Sequence, residues 1–250
     1  VFAGAVGLIG PRLGETSLVL GDAIAWIGVL TALFGALLAV FQEDVKRLLA
    51  YSSMSQLGYM VLGIGLATHL GWTTAVYLSI LHFVFKVMLF LAVAGVIWRT
   101  GTRNMHHMGG LIKRMPVTFL SALMAIIAVS GVPPLAGFGG KWLLYTALME
   151  SQWYFRTVVA FFASTIAFLY LFKFIFTVFL GQLKDEHREV KEAPVWLLIP
   201  QVLLMGALMA GSMYPNLILE PVMAAVEAYL PGTVAWDGYS VISSLGYWNG

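Results

Sequence analysis

Three lysines lie inside stretches that otherwise read as membrane-spanning helices: Lys86, Lys141 and Lys173. A lysine at the bilayer centre costs roughly 2.5–3.5 kcal/mol even on a lenient insertion scale, so such residues face protein or water and mark function. No Asp or Glu is expected at comparable depth, so the three cations predict a path for charge without acidic partners on this chain. Lys86 stands midway along its segment, in Leu81-His-Phe-Val-Phe-Lys-Val-Met88, too deep to snorkel to either surface. His82 comes four residues earlier and shares its helical face. Histidine titrates near neutral pH, and a His/Lys pair one turn apart can pass a proton along. The competing reading is a lysine buried for packing, held by carbonyls or by an acid of another chain.

Lys141 follows Ser130-Gly-Val-Pro-Pro-Leu-Ala-Gly-Phe-Gly-Gly140, a run with two prolines and four glycines. A helix must break there, and broken backbone at membrane depth survives only inside protein or beside a wet cavity. Half-helix ends and freed carbonyls are a recurring way to build ion sites at mid-depth. The plainer role for Lys141 is to cap the carbonyls of residues 130–132. Lys173 sits eight residues from the basic end of its span, about 12 Å of helix, within a lysine's reach of water. Tyr170 and Thr177 share its face, so a polar stripe and simple snorkelling are equal readings.

Ser52, Ser55, Gln56 and Tyr59 fall at i, i+3, i+4 and i+7, one face of a helix. In lipid that face turns inwards, where it can hold water and relay protons, or make interhelical hydrogen bonds and close contacts. At the foot of the same helix Glu43, Asp44, Lys46 and Arg47 could gather protons, although an acid at a helix N-terminus is also ordinary dipole complementarity.

The elements that carry these residues are set by composition. Of 250 residues 60% are hydrophobic and 10% charged, against about 25% charged in soluble domains, so the fold class is all-α, a polytopic transmembrane bundle. About five full spans are expected, plus a partial first one and one discontinuous helix around residues 130–141. The apolar run Val1–Gly10 reads as the tail of a helix that begins before this chain does. The absence of cysteine excludes disulfides, iron–sulfur clusters and thiol catalysis. The five histidines lack metal-type spacing, and a net charge of +2 does not suggest nucleic acid. Neither a metal nor a cofactor is expected in this chain. Residues 42–47, 99–114 and 181–193 hold nine Lys and Arg, against Arg12 and Arg156 on the opposite side, which puts the nine on the cytoplasmic side. Residues 1–213 form the membrane domain. Within 214–250, Leu217–Leu230 reads as an interfacial amphipathic helix and Trp236, Tyr239, Tyr247 and Trp248 as an aromatic belt.

Four segments together resemble one family: Gln42–Met60, His82-Phe-Val-Phe-Lys86, Met108-Gly-Gly-Leu-Ile-Lys-Arg-Met-Pro116 and Gly131–Lys141. The chain is similar to the antiporter-like membrane subunits of respiratory complex I, to Mrp-type sodium/proton antiporters and to membrane-bound hydrogenase subunits. The resemblance covers about Ile27 to Glu192 and implies two inverted five-helix repeats, each with a broken helix and a buried lysine, joined by a hydrated polar axis. The chain matches the second repeat. The resemblance aligns Lys86 with the central lysine, His82 with its neighbour, Lys141 with the residue after the break, and Asp44 and Lys46 with polar residues at the foot of the third span. It places the glutamate and lysine of the first repeat outside this chain. Some relatives have a second histidine where Leu78 stands. The resemblance implies proton translocation with no covalent chemistry in this chain, within a redox-driven translocase. The expected partners are other membrane subunits, the lipid bilayer and protons. The alternatives are a structural scaffold and a component of an Mrp-type sodium/proton antiporter.

Overall fold

Gly21, Gly28 and Gly35 recur every seven residues along α1 (Leu13–Val40), and Gly58 and Gly65 repeat that interval on α2 (Val45–Gly65). This spacing keeps each set on one side of its helix, and the two sides meet. A Cβ on Gly28 would strike the backbone nitrogen of Leu62, one on Gly58 that of Ala32, and one on Gly65 would lie 2.6 Å from that of Ala25. Ala25, Ala32, Ala36 and Ala39 of α1 are fully buried. Where lipid offers no hydrophobic drive between helices, such close backbone contact is what holds them together.

The computed structural model describes residues 13–230, with side chains from residue 19, and the backbone of three short strands beyond. The run Val1–Gly10 and the side chains of the aromatic tail lie outside the described residues. After α2 come α3 (His69–Thr100), α4 (Pro116–Ser130), α5 (Ala136–Glu150), α6 (Tyr154–Ile175), α7 (Val195–Met213) and α8 (Asn216–Glu227). A π-helical turn, Phe176–Leu180, extends α6. Helix α3 is the hub, packing against α2, α4, α5, α7 and α8. All-α describes the bundle, to which three short strands paired antiparallel in the order β1-β2-β3 are added: β1 (Ala235–Trp236), β2 (Val241–Ser243) and β3 (Gly246–Trp248).

Among the described residues, four helical stretches are long and apolar enough to cross a bilayer: Val19–Val40, His69–Thr100, Tyr154–Leu180 and Val195–Met213. Helix α2 has 21 residues, enough in length, but its Lys46, Arg47 and Ser/Gln/Tyr face lower its apolar content. The expected 116–150 element is two 15-residue helices, α4 and α5. Gly131 ends α4 in the left-handed region at φ 73°, a conformation glycine adopts without strain. The amphipathic helix of the C-terminal region is α8, and it buries Leu219, Val222 and Val226 while packing on α3.

The helix ends are tied to distant side chains. The Glu192 carboxylate accepts from Val117 N at 2.8 Å and Thr118 Oγ1 at 2.6 Å, capping α4 from the loop before α7. Ser212 Oγ of α7 accepts from Ala136 N at 2.9 Å and caps α5. Both are acceptors for the orphan N–H groups of a helix start.

Replacing Gly58 with Leu forces α1 and α2 apart. We expect a loss of roughly 1–3 kcal/mol or more and a lower thermal unfolding midpoint in detergent. Gly206, on α7, has nothing within 4 Å of where a Cβ would stand. Gly206→Ala should leave the midpoint unchanged or raise it by the helix-propensity gain of up to about 1 kcal/mol.

Candidate functional site

Lys86 projects from the middle of α3 onto the second turn of α2. Its Nζ donates to Leu49 O at 3.0 Å and makes a short hydrogen bond to Ser52 Oγ. Ser52 in turn donates to Leu49 O at 2.8 Å, closing a three-membered cluster. The lysine is 5% exposed, and among the described residues no carboxylate pairs with it. Beside it lies an open cleft of about 500 Å³ lined by Ser53, Ser79, His82, Phe83 and Phe90. His82 therefore shares the lysine's cleft, as its spacing predicts, but makes no hydrogen bond to it. The His82 ring stands edge-on to Phe85 at 5.4 Å, with Nδ1 buried and unpartnered. Leu78, one turn earlier, is buried against Gly140 of α5, where a Cβ would come within 2.5 Å of it.

Lys141 occupies the second turn of α5. Its Nζ donates to Ser130 O at 2.9 Å and to Ser164 Oγ at 2.7 Å. It thus holds a carbonyl at the end of α4, and it lines a cleft of about 390 Å³ with Tyr145, Phe161, Ser164, Thr165 and Phe168. The break shapes the site sterically. A Cβ on Gly131 would lie 2.5 Å from the Lys141 stem, and one on Gly137 would collide with the Ala128 carbonyl.

The polar face of α2 joins the two lysines. Ser52 holds Lys86, and the Tyr59 ring lies under the Lys141 ammonium, 5.4 Å from Nζ to centroid. Ser52 and Tyr59 are seven residues apart, about 10 Å along the helix. Between them Gln56 is 3% exposed, with Nε2 unpartnered. Tyr170 of α6 lies beside Ser52, fully buried, with no hydrogen bond of ordinary geometry at its hydroxyl. Tyr145, half-buried beside Ser164, likewise has a buried hydroxyl with no hydrogen bond of ordinary geometry, while Tyr59 donates to Ala160 O at 3.0 Å. Tyr145, Ser164 and the bridging position of Tyr170 escaped the sequence reading. Tyr145 lies on α5, and Ser164 and Tyr170 on α6, and only the fold brings them to the lysines.

The remaining candidates stand apart. Ser55 donates to Ala32 O at 2.8 Å and belongs to the α1–α2 contact. Asp44 is the N-cap of α2, accepting from Lys46 N at 2.7 Å and Arg47 N at 3.2 Å, and the Lys46 side chain is exposed. Lys173 donates to Val40 O and Gln42 O at 3.0 Å each, tying off the C-terminus of α1, where a cation meets the negative helix end. One expectation is corrected. An acid does lie within a spanning helix: Asp22 of α1, whose side chain is half exposed, forms an ion pair with Arg156. Arg156 is 8% exposed in the first turn of α6, with its guanidinium 4.9 Å from the Trp26 ring and 4.0 Å from that of Trp153. A weakly hydrated, planar cation stacks on aromatic faces in this way, so its burial was hidden in the sequence.

Known proteins share this sequence pattern and this fold. The family described as "NADH:quinone oxidoreductase/Mrp antiporter, TM" matches residues 6–167. The chain is 35% identical to a Na⁺/H⁺ antiporter component of Alkalihalophilus pseudofirmus, over 89% of this chain and 31% of that protein. Its fold matches a chain of an archaeal membrane-bound sulfane sulfur reductase with TM-score 0.84 and 36% identity, covering 92% of this chain and 38% of that one. For a chain of respiratory complex I from Thermus thermophilus the TM-score is 0.74 at 27% identity, with 88% and 47% covered. The chain spans 29–40% of the length of the first curated relatives it matches.

Ser52→Ala removes one of the two acceptors of the Lys86 ammonium. Leaving a charged group short of a partner costs about 1–3 kcal/mol or more, so thermal unfolding of the detergent-solubilised protein should show a clear loss. Ser53→Ala removes only a 3.0 Å bond back to Leu49 O of its own helix and should change stability by less than about 0.5 kcal/mol. Equal effects of the two substitutions would contradict the cluster.

Proposed function

The chain belongs to the NADH:quinone oxidoreductase/Mrp antiporter transmembrane family, and from that premise we propose that it moves protons across an energy-coupling membrane as an antiporter-like subunit of a larger complex. It is an integral membrane protein. The observation that carries the reading is the pair of buried lysines set on one polar helix face, each held by a hydroxyl and a backbone carbonyl and not by an acid.

The chemistry rests on that donor set. A protonated Lys86 donates to Leu49 O and Ser52 Oγ. A neutral Lys86 has a lone pair and can accept from Ser52 instead, with the hydroxyl turning away from Leu49. Serine serves both states with one rotation, whereas a carboxylate would hold the lysine charged. Ser164 gives Lys141 the same freedom. Buried polar atoms without protein partners are where ordered water sits. Gln56 Nε2 and the Tyr170 and Tyr145 hydroxyls supply such positions between the lysines, and His82 supplies one in the cleft that leads to Lys86. On the scale of about 10 Å, two ammonium ions repel by roughly 1–2 kcal/mol at an effective dielectric constant of about 20. That is enough to bias by about tenfold which lysine carries the charge, so a proton arriving at one favours release from the other.

In this arrangement α2 is a full crossing and α4 with α5 a single discontinuous one, because 15 residues rise about 22 Å and fall short of a 30 Å core. The basic segments 42–47, 99–114 and 181–193 lie on the cytoplasmic side, Lys86 nearer to them and Lys141 towards the opposite exit. The chain works without a cofactor of its own, and redox or ion-gradient chemistry elsewhere in the complex drives the charge movement.

A second reading, sodium/proton exchange, is favoured by the name of the Alkalihalophilus relative. Sodium seeks hard oxygen ligands, and among the described residues acids and histidines do not cluster to hold a metal, so the lysine axis suits protons better. The scaffold reading requires a dry lysine paired with an acid. The cleft beside Lys86 and its hydroxyl partner weigh against it.

Lys86→Met in membrane vesicles should lower proton pumping at least tenfold while the complex assembles normally. Undiminished pumping would sink the assignment. Tyr170→Phe keeps the ring and its packing and removes only the hydroxyl. It should slow pumping several-fold with the unfolding midpoint held, and a normal rate would remove Tyr170 from the path.

A further inference from the structure

The segment Met108-Gly-Gly-Leu-Ile-Lys-Arg-Met-Pro116 makes none of the hydrogen bonds of either lysine, yet it is tightly built. Gly109 and Gly110 have φ of 150° and 64°, values that disfavour any residue with a side chain. A Cβ on Gly109 would strike the Gln182 carbonyl, and one on Gly110 would lie 2.5 Å from Leu183 N. Two loops, before α4 and after α6, are thereby pressed together. Lys184 donates to the carbonyl of His106, and a ring nitrogen of His187 lies 3.0 Å from the carbonyl of His107, so the joint is pinned a second time.

Where the loops meet they leave a recess of about 610 Å³ whose wall is Ile112, Leu180 and Leu183 and whose rim carries Lys113 and Arg114. Its place is set by the spanning helices. Leu180 is the last residue of the Tyr154–Leu180 span, and Pro116 is the first of α4. The recess thus opens at the end of the hydrocarbon layer, where a headgroup meets its acyl chains. Both cations are exposed, and among the described residues neither forms an ion pair. Of the acids in the loop after α6, Asp185 pairs with Arg188 at 2.7 Å and Glu192 caps the start of α4, while Glu186 and Glu189 are exposed. Leu180 and Leu183 remain 45% and 36% exposed.

We propose that this recess binds an anionic glycerophospholipid, with the phosphate between Lys113 and Arg114 and the upper acyl chain along Leu180 and Leu183. A guanidinium offers paired donors that match phosphate oxygens, and the ammonium adds a point charge. Basic pockets at the ends of membrane helices take acidic headgroups on this principle. The apolar wall selects lipid over free phosphate, which would gain nothing from the leucines. A lipid held here would cover the joint between the two loops and fix the depth of α6 in the bilayer. The proposal needs only that the chain spans a membrane, and it stands or falls separately from proton movement along the lysines.

The test uses the assembled complex in nanodiscs of phosphatidylcholine that contain a minor fraction of phosphatidylglycerol carrying a photoactivatable acyl chain. After illumination, labelled peptides are mapped by mass spectrometry. Labelling should fall on the peptides that hold residues 110–114 and 180–183. The double substitution Lys113→Gln and Arg114→Gln should reduce it roughly 10- to 30-fold, while Lys113→Arg retains it. A phosphatidylcholine probe of the same chain should label the site weakly and equally in both proteins. Strong labelling by that probe, or an unchanged signal in the double variant, overturns the proposal. Loss of phosphatidylglycerol labelling on adding inorganic phosphate would assign the site to a free anion instead. Should the double variant fail to assemble, Leu183→Ser reads the same site through its wall and must lower labelling several-fold.

Discussion

An ammonium ion placed inside a membrane protein must have acceptors at fixed positions, and that requirement organises this fold. Lys86 on α3 finds its acceptors on α2, at Leu49 and Ser52. Their position is set in turn by how closely α2 lies against α1. The glycines at seven-residue intervals bring those backbones together until a single added methyl would collide with a main-chain atom. Ser55 seals the same contact by donating to Ala32 O. Helix α2 is thus held from behind by α1 while its other face meets the lysines. The polar helix α2 is packed into the bundle by its partner.

The two lysines solve one problem by different means. Lys86 borrows a carbonyl from an intact helix, where Leu49 O is close to Ser52 as well as to the ammonium. Lys141 uses a carbonyl that the helix no longer needs, because α4 ends at Ser130 and Gly131 turns the chain away. The second site therefore demands the glycines. The Lys141 stem lies where a side chain of residue 131 would be, and the first turn of α5 rests on the last turn of α4. Breaking the helix both frees the acceptor and clears room for the donor.

Much of this was legible in the sequence, for a physical reason. Lysines in apolar segments, a Pro-Pro/Gly interruption and a Ser/Gln/Tyr face at helical spacing are each costly in lipid, and costly features stand out from an apolar background. What the sequence concealed is what the fold makes inexpensive. Asp22 and Arg156 sit 134 residues apart and neutralise each other between tryptophans, so neither shows as a buried charge. Lys173, eight residues from the basic end of its span, could snorkel or join a polar stripe by sequence, and its partners become visible only where α1 ends beside it. Tyr145 and Tyr170 are amphipathic residues on largely apolar helices, and their hydroxyls acquire meaning only from Ser164 and Ser52 across a helix boundary. Glu192 is a loop acid by sequence and the cap of α4 by structure.

The contrast between Lys86 and Arg156 bears on what a buried cation can do. Arg156 has a carboxylate partner and two aromatic faces, an environment that suits a permanent charge and fixes it in place. Lys86 and Lys141 have hydroxyl and carbonyl partners, and each hydroxyl can reverse its role when the proton leaves. Arginine keeps its proton under all ordinary conditions, whereas a desolvated lysine is able to give its proton up. The chain thus places the cation that cannot titrate where a fixed charge clamps α6 to α1. It places the cations that can titrate where no acid holds them charged. That division, drawn by partner chemistry and not by depth in the membrane, separates the residues that hold the bundle together from those proposed to carry the proton.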